Sequence, residues 1–87
     1  MILADLKEFL RVTHDEDDAL LTALGAAAED ELTRYLEVSQ LPPVASVTVA
    51  AMMLVRSSYD AETPDDAARW RDVARTMAHS YRTGMGA

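Results

Sequence analysis

The amino-acid sequence predicts an all-α fold, a small four-helix domain covering residues 1–87, on three observations. Apolar residues recur three and four apart in two stretches of the first half. A third stretch, bounded by prolines, is apolar on nearly every side and long enough to be a buried helix. The tetrapeptide "TPDD" at residues 63–66 has the composition of a helix start.

Leu3, Leu6 and Leu10, with Phe9 beside them, predict a short first helix that "RVT" ends. A longer helix is expected from Asp15, because Leu21, Leu24, Ala28, Leu32 and Tyr35 fall on one face. Leu20, Ala23 and Ala27 make a second, smaller apolar row, which implies contacts on two sides. "SQLPP" closes this helix near residues 36–38, since the residue before a proline disfavours helical backbone, and Pro43 can occupy the first turn of the next helix. The run "VASVTVAAMMLVRSSY" is the buried central helix, with Val47, Ala51 and Leu54 in the core. In the last helix Thr63 is the expected N-cap, Pro64 the first position, and Asp65 and Asp66 lie where the helix dipole favours negative charge. Its apolar stripe is Ala67, Trp70, Ala74, Met77 and Tyr81, widened by Val73, and Gly84 marks its end. Leu6, Leu10, Leu21, Leu24, Ala28, Leu32 and Tyr35 complete the expected core, and the tail "TGMGA" is expected to fray.

Length and composition narrow the function. Eighty-seven residues leave room for one domain, and the absence of cysteine excludes disulfides, thiolate metal sites and a cysteine nucleophile. Stability then rests on packing and on oligomerisation. Asp5 and Glu8 interrupt the apolar start, which argues against a secretory signal. The weakly polar run at residues 44–55 is far short of the roughly 20 residues of a membrane span, so an intracellularly made protein with no membrane partner is expected. The net charge is -7, unevenly spread. Residues 1–40 hold ten acids and three bases, whereas residues 67–87 hold Asp72 against Arg69, Arg71, Arg75 and Arg82. An acidic front and a basic end can attract each other within one copy or between copies.

"HDEDD" at residues 14–18 raises the question of a ligand site. Calcium loops alternate their oxygen ligands around a glycine, but these acids are adjacent and no glycine follows until Gly25. A zinc site built on His14 and Asp18 lacks further ligands, since the only other histidine is His79. Acids opening a helix account for the cluster, with Asp15 or Thr13 as cap, and Asp17 and Asp18 are candidates to meet a basic surface. No serine sits in a nucleophile elbow and no glycine-rich phosphate loop exists, so neither an enzyme nor a cofactor is expected. Arg71, Arg75 and Arg82 fall near one face of the last helix. In a chain of net charge -7 they are expected to pair with acids rather than to grip DNA.

The order of these features resembles the small helical head-tail connector proteins, also called head-completion or adaptor proteins, of long-tailed phages, prophages and gene transfer agents. The resemblance covers residues 3–83. It is carried by Leu6, Lys7, Leu10, Arg11, Asp15, Asp18 and Leu21, by Ala26, Ala27 and Ala28 behind them, and by Ser80, Tyr81 and Arg82 at the end. The chain departs from the pattern where it lacks a glycine after Tyr35 and carries "DAE" after Tyr59. The resemblance implies a structural, non-enzymatic protein without cofactor, located at the virion neck. Copies would form a ring, commonly twelve-fold, under the portal protein, extend the DNA channel and meet the next neck or tail protein. A head-to-tail ring needs two complementary faces per copy. The acidic front (Asp17, Asp18) and the basic last helix (Arg71, Arg75, Arg82) are one candidate pair. An acidic channel wall would let DNA pass without specific binding. The competing expectation is a small acidic helical module that covers a basic surface on a protein partner.

Overall fold

The computed structural model describes residues 1–82, so the expected helix end at Gly84 and the tail at 83–87 lie outside the described residues. Four α-helices follow one another: Leu3–Leu10 (α1), Asp18–Leu36 (α2), Ala45–Tyr59 (α3) and Pro64–Ala78 (α4), the last continued by a 3-10 turn at His79–Tyr81. Among the described residues there is no strand.

The helix ends follow from local chemistry. α1 stops at Arg11, which takes left-handed backbone (φ 60°) while the Arg11 and Val12 N–H groups donate back to the carbonyls of Glu8 and Lys7. α2 stops in the same way at Glu37 (φ 56°), two residues after Tyr35, in the connection that lacks a glycine. A side chain there is disfavoured, because the left-handed region crowds Cβ against the backbone. Replacing Arg11, which is exposed and has no ion-pair partner among the described residues, with glycine is expected to stabilise the fold by about 1 kcal/mol, read as a shift in the urea midpoint.

α2 begins three residues later than expected, at Asp18, with Asp17 rather than Asp15 or Thr13 at the cap and no side-chain capping bond. Pro43 lies before α3 instead of in its first turn, since Val44 is the N-cap. α4 starts as its sequence predicts. Thr63 Oγ1 accepts from the Asp66 N–H at 3.0 Å, and the Asp66 carboxylate accepts from the Glu62 N–H at 3.3 Å.

α3 is the centre of the fold and touches each of the other three helices. Val47, Ala50, Ala51, Met52, Leu54, Val55 and Ser57 are buried around its circumference. Leu6 and Leu10 cover it from α1, Leu21, Ala28, Leu32 and Leu36 from α2, and Ala74 and Ala78 from α4. Leu24, Tyr35 and Met77 are half-buried and pack against this cluster.

Three expected core positions differ. Trp70 is half-buried and lies against Arg56 instead of in the apolar cluster. Val73 and Tyr81 are 38% and 36% exposed. The buried line of α4 runs through Ala74 and Ala78, and Val73 is turned about 100° from Ala74, which carries it past the edge of that line. Tyr81 lies in the 3-10 turn at His79–Tyr81, beyond the end of α4 at Ala78.

Candidate functional site

Two polar assemblies tie the helices together, and they gather most of the charged residues singled out from sequence. The first lies where α1 ends and α2 begins. Lys7, four residues before Arg11, projects across the connection and its Nζ donates to Asp15 at 2.6 Å, with Asp18 at 2.8 Å. Asp17, between them, accepts a hydrogen bond from the Tyr59 hydroxyl at the end of α3, at 2.5 Å. "HDEDD" is therefore a segment held to its own chain at three points, and only Asp18 of its acids belongs to the helix. Among the described residues no group of three or more histidines and acids has a metal-site arrangement.

These contacts set the protonation behaviour. The hydrogen bond to Asp15, followed by that to Asp18, holds the Lys7 ammonium above the usual lysine value. The same bond from Lys7 holds Asp15 below the usual carboxylate value. Asp17, as acceptor, holds the Tyr59 phenol up. The stability contributed by Asp15 is fully present above the unfolded carboxylate pKa and is lost as pH falls through the depressed folded value. The stability contributed by Lys7 and Tyr59 is fully present below the unfolded values, about 10, and is lost as pH rises through the raised folded ones. Stability against urea should accordingly be flat through neutral pH and fall on both sides. Lys7→Met should reduce both limbs and Tyr59→Phe the alkaline limb alone. Unchanged limbs in both variants would show that these contacts do not couple to folding.

Beside this assembly, Arg56 is the one cation of α3. Its guanidinium lies 4.6 Å from the centre of the Trp70 ring and 5.9 Å from that of Phe9, with Asp60 3.5 Å from Nε. The stacking links α1, α3 and α4 through a single side chain, at about 0.5–1 kcal/mol per ring contact where solvent reaches it.

The second assembly is the seam between α2 and α4. Arg71 donates to Glu31, and Arg75 approaches the same carboxylate at 4.0 Å. Further along, the Tyr35 hydroxyl is 3.0 Å from His79 Nδ1, Arg82 Cζ is 5.4 Å from the centre of the Tyr35 ring, and Arg82 Nε is 3.4 Å from Glu37. Partners advance together along both helices, so α2 and α4 run parallel. The basic face expected on α4 is thus largely neutralised by α2.

The structure does not bring Asp17 and Asp18 together with Arg71, Arg75 and Arg82 in one chain, and each of the five has an intrachain partner. Sequence reasoning missed Glu31, Glu37, Arg56, Tyr59 and His79 as partners. Most of these contacts join residues 40 or more positions apart, beyond any local spacing signal; for Arg56 alone there was one, a single cation inside an apolar helix.

The chain is thus a small all-helical domain whose helices are tied together by ion pairs and aromatic contacts between distant residues. Residues 1–69 match the family model of phage gp6-like head-tail connector proteins, and the chain belongs to that family. Comparison with curated proteins and with solved structures finds no match.

Proposed function

We propose that this chain is a structural subunit of a phage-type neck, without catalytic activity or cofactor. Copies assemble as a ring below the portal protein, extend the channel through which DNA leaves, and present a surface to the next neck or tail protein. Family membership over residues 1–69 carries this reading. The net charge of -7 supports it, because a wall rich in acids and poor in free cations offers DNA few phosphate contacts to stall on. Asp17, Asp18, Arg71, Arg75 and Arg82 can contribute to subunit contacts only by sharing or giving up their intrachain partners.

Deleting the gene from the element that encodes it, and imaging the particles made, tests the role. DNA-filled or DNA-leaking heads without tails, restored to tailed particles by the wild-type gene in trans, are the expected outcome. Normal numbers of tailed particles without the gene would overturn the reading.

A further inference from the structure

Among the described residues, α2 and α4 each carry a flank with an exposed apolar side chain, and the two flanks differ in shape. On α2, Leu20 is 49% exposed, and Ala23 and Ala27 are exposed beside it. A helix turns about 100° per residue, so Leu20 lies within about 20° of Glu31 and shares the flank that carries Leu24 and Ala27. That flank is one wall of a groove. Ala27 and Leu24 face Arg71 of α4 across a floor of Leu54 and Ser58, around a cavity of about 50 Å³. On α4, Val73 is 38% exposed and is turned about 160° from both Arg71 and Arg75, the residues that face α2. It therefore forms a ridge on the side of α4 away from α2, and within one chain it cannot meet the groove.

Near each flank lies one charge without a partner among the described residues, and the two differ in sign. Arg69, four residues before Val73, is the one arginine of α4 with no acid partner among the described residues, since Arg71 and Arg75 go to Glu31. Glu16, four residues before Leu20, likewise has no partner among the described residues. Arg69 lies one turn of α4 before Val73, whereas Glu16 lies in the non-helical segment just before α2, and the two charges are of opposite sign.

We propose that the α4 ridge of one copy seats in the α2 groove of the next, with Val73 meeting the Leu20–Ala27 row and Arg69 directed toward Glu16. The occupant is a second copy of this chain, because the chain carries both halves, apolar with apolar and cation with anion. Two different patches on each copy make a heterologous contact, which closes to a ring or runs on as a filament. The inference rests on the assembly reading above only in supposing that copies meet.

Sedimentation equilibrium of the full chain up to millimolar concentration tests it with two variants. One disables the groove (Leu20→Glu with Ala27→Glu) and the other the ridge (Val73→Glu). The wild type should self-associate, and each variant alone should associate roughly tenfold or more weakly. An equimolar mixture should form a one-to-one dimer and nothing larger, because each variant keeps the half that the other lacks. A mixture that behaves as its separate parts, a variant that associates like the wild type, or a monomeric wild type would overturn the proposal. Circular dichroism checks folding; if helicity falls, Leu20→Gln and Val73→Gln replace the glutamates. Locating the protein in purified particles separates the two readings. Presence at the neck without pairing in the mixture overturns this interface alone, and pairing with absence from particles overturns the neck role alone.

Discussion

Truncating Leu32 to alanine is expected to cost about 2–5 kcal/mol, the range for a buried leucine that leaves a cavity its neighbours cannot fill. Leu32 is fully buried, on α2, among the side chains that cover α3. Domains of this size are stable by only about 5–15 kcal/mol, so the loss takes a large share of the total. The melting temperature should fall by at least about 8 °C, since each kcal/mol shifts a domain of 60–100 residues by roughly 4–8 °C. Trp70, the only tryptophan, is half-buried against Arg56 and reports the transition by fluorescence. Leu20→Ala is the control. That side chain is 49% exposed, and its removal should change stability of the isolated chain by less than about 0.5 kcal/mol. Equal losses in the two variants would mean that the packing described for α2 is wrong.

Enlarging Ala74 to leucine is the second large effect, and it acts in the opposite direction on volume. α3 and α4 are the most extensively packed pair of helices, and the α4 residues with no exposure are the small Ala74 and Ala78. Such residues let two helices approach closely, so three further carbon atoms at Ala74 have no space without moving α4. Overpacking of this kind costs about 1–3 kcal/mol. Displacing α4 would also strain the Arg71–Glu31 and Tyr35–His79 contacts along the seam. The expected readout is a lowered urea midpoint together with altered Trp70 emission. Ala68→Leu, at an exposed position of the same helix, should do neither. A tolerated leucine at 74 would show that the α3–α4 interface is loose.

Most of the fold was legible in the sequence, because each helix carries its own punctuation. Leu3–Leu10 is bounded by its apolar spacing, "SQLPP" separates α2 from α3, and Thr63-Pro64 starts α4 with the side-chain cap that its composition implies. The misplaced start of α2 has a physical cause. Four adjacent acids fit the first turn of a helix, but Lys7 and Tyr59 take hold of Asp15 and Asp17 from other elements and keep that segment outside it. Tertiary contacts decided what local propensity left open.

The core expected on α4 was met in part: of Ala67, Trp70, Ala74, Met77 and Tyr81, with Val73 beside them, Ala74 is buried and Met77 packs on the core, whereas Trp70 is half-buried and Val73 and Tyr81 are exposed. A close approach to α3 selects the small residues, Ala74 and Ala78. A hydrophobic pattern weights size and cannot show which arc of a helix its neighbour will occupy. The charged seam was least legible. Arg71 and Arg75 could be recognised as a basic face, but their partner Glu31 lies 40 positions away from Arg71, and only the fold brings it near.

The central claim, that this chain is a ring-forming neck subunit, is tested most directly by cryo-electron microscopy of intact particles carrying the wild-type protein. The account predicts a closed ring of small helical subunits between the portal and the following neck or tail protein, into whose density the α1–α4 fold fits. The α4 flank bearing Val73 should lie against α2 of the next copy. A neck whose density holds no copy of this fold, with the protein recovered instead as a free partner of another protein, would contradict it.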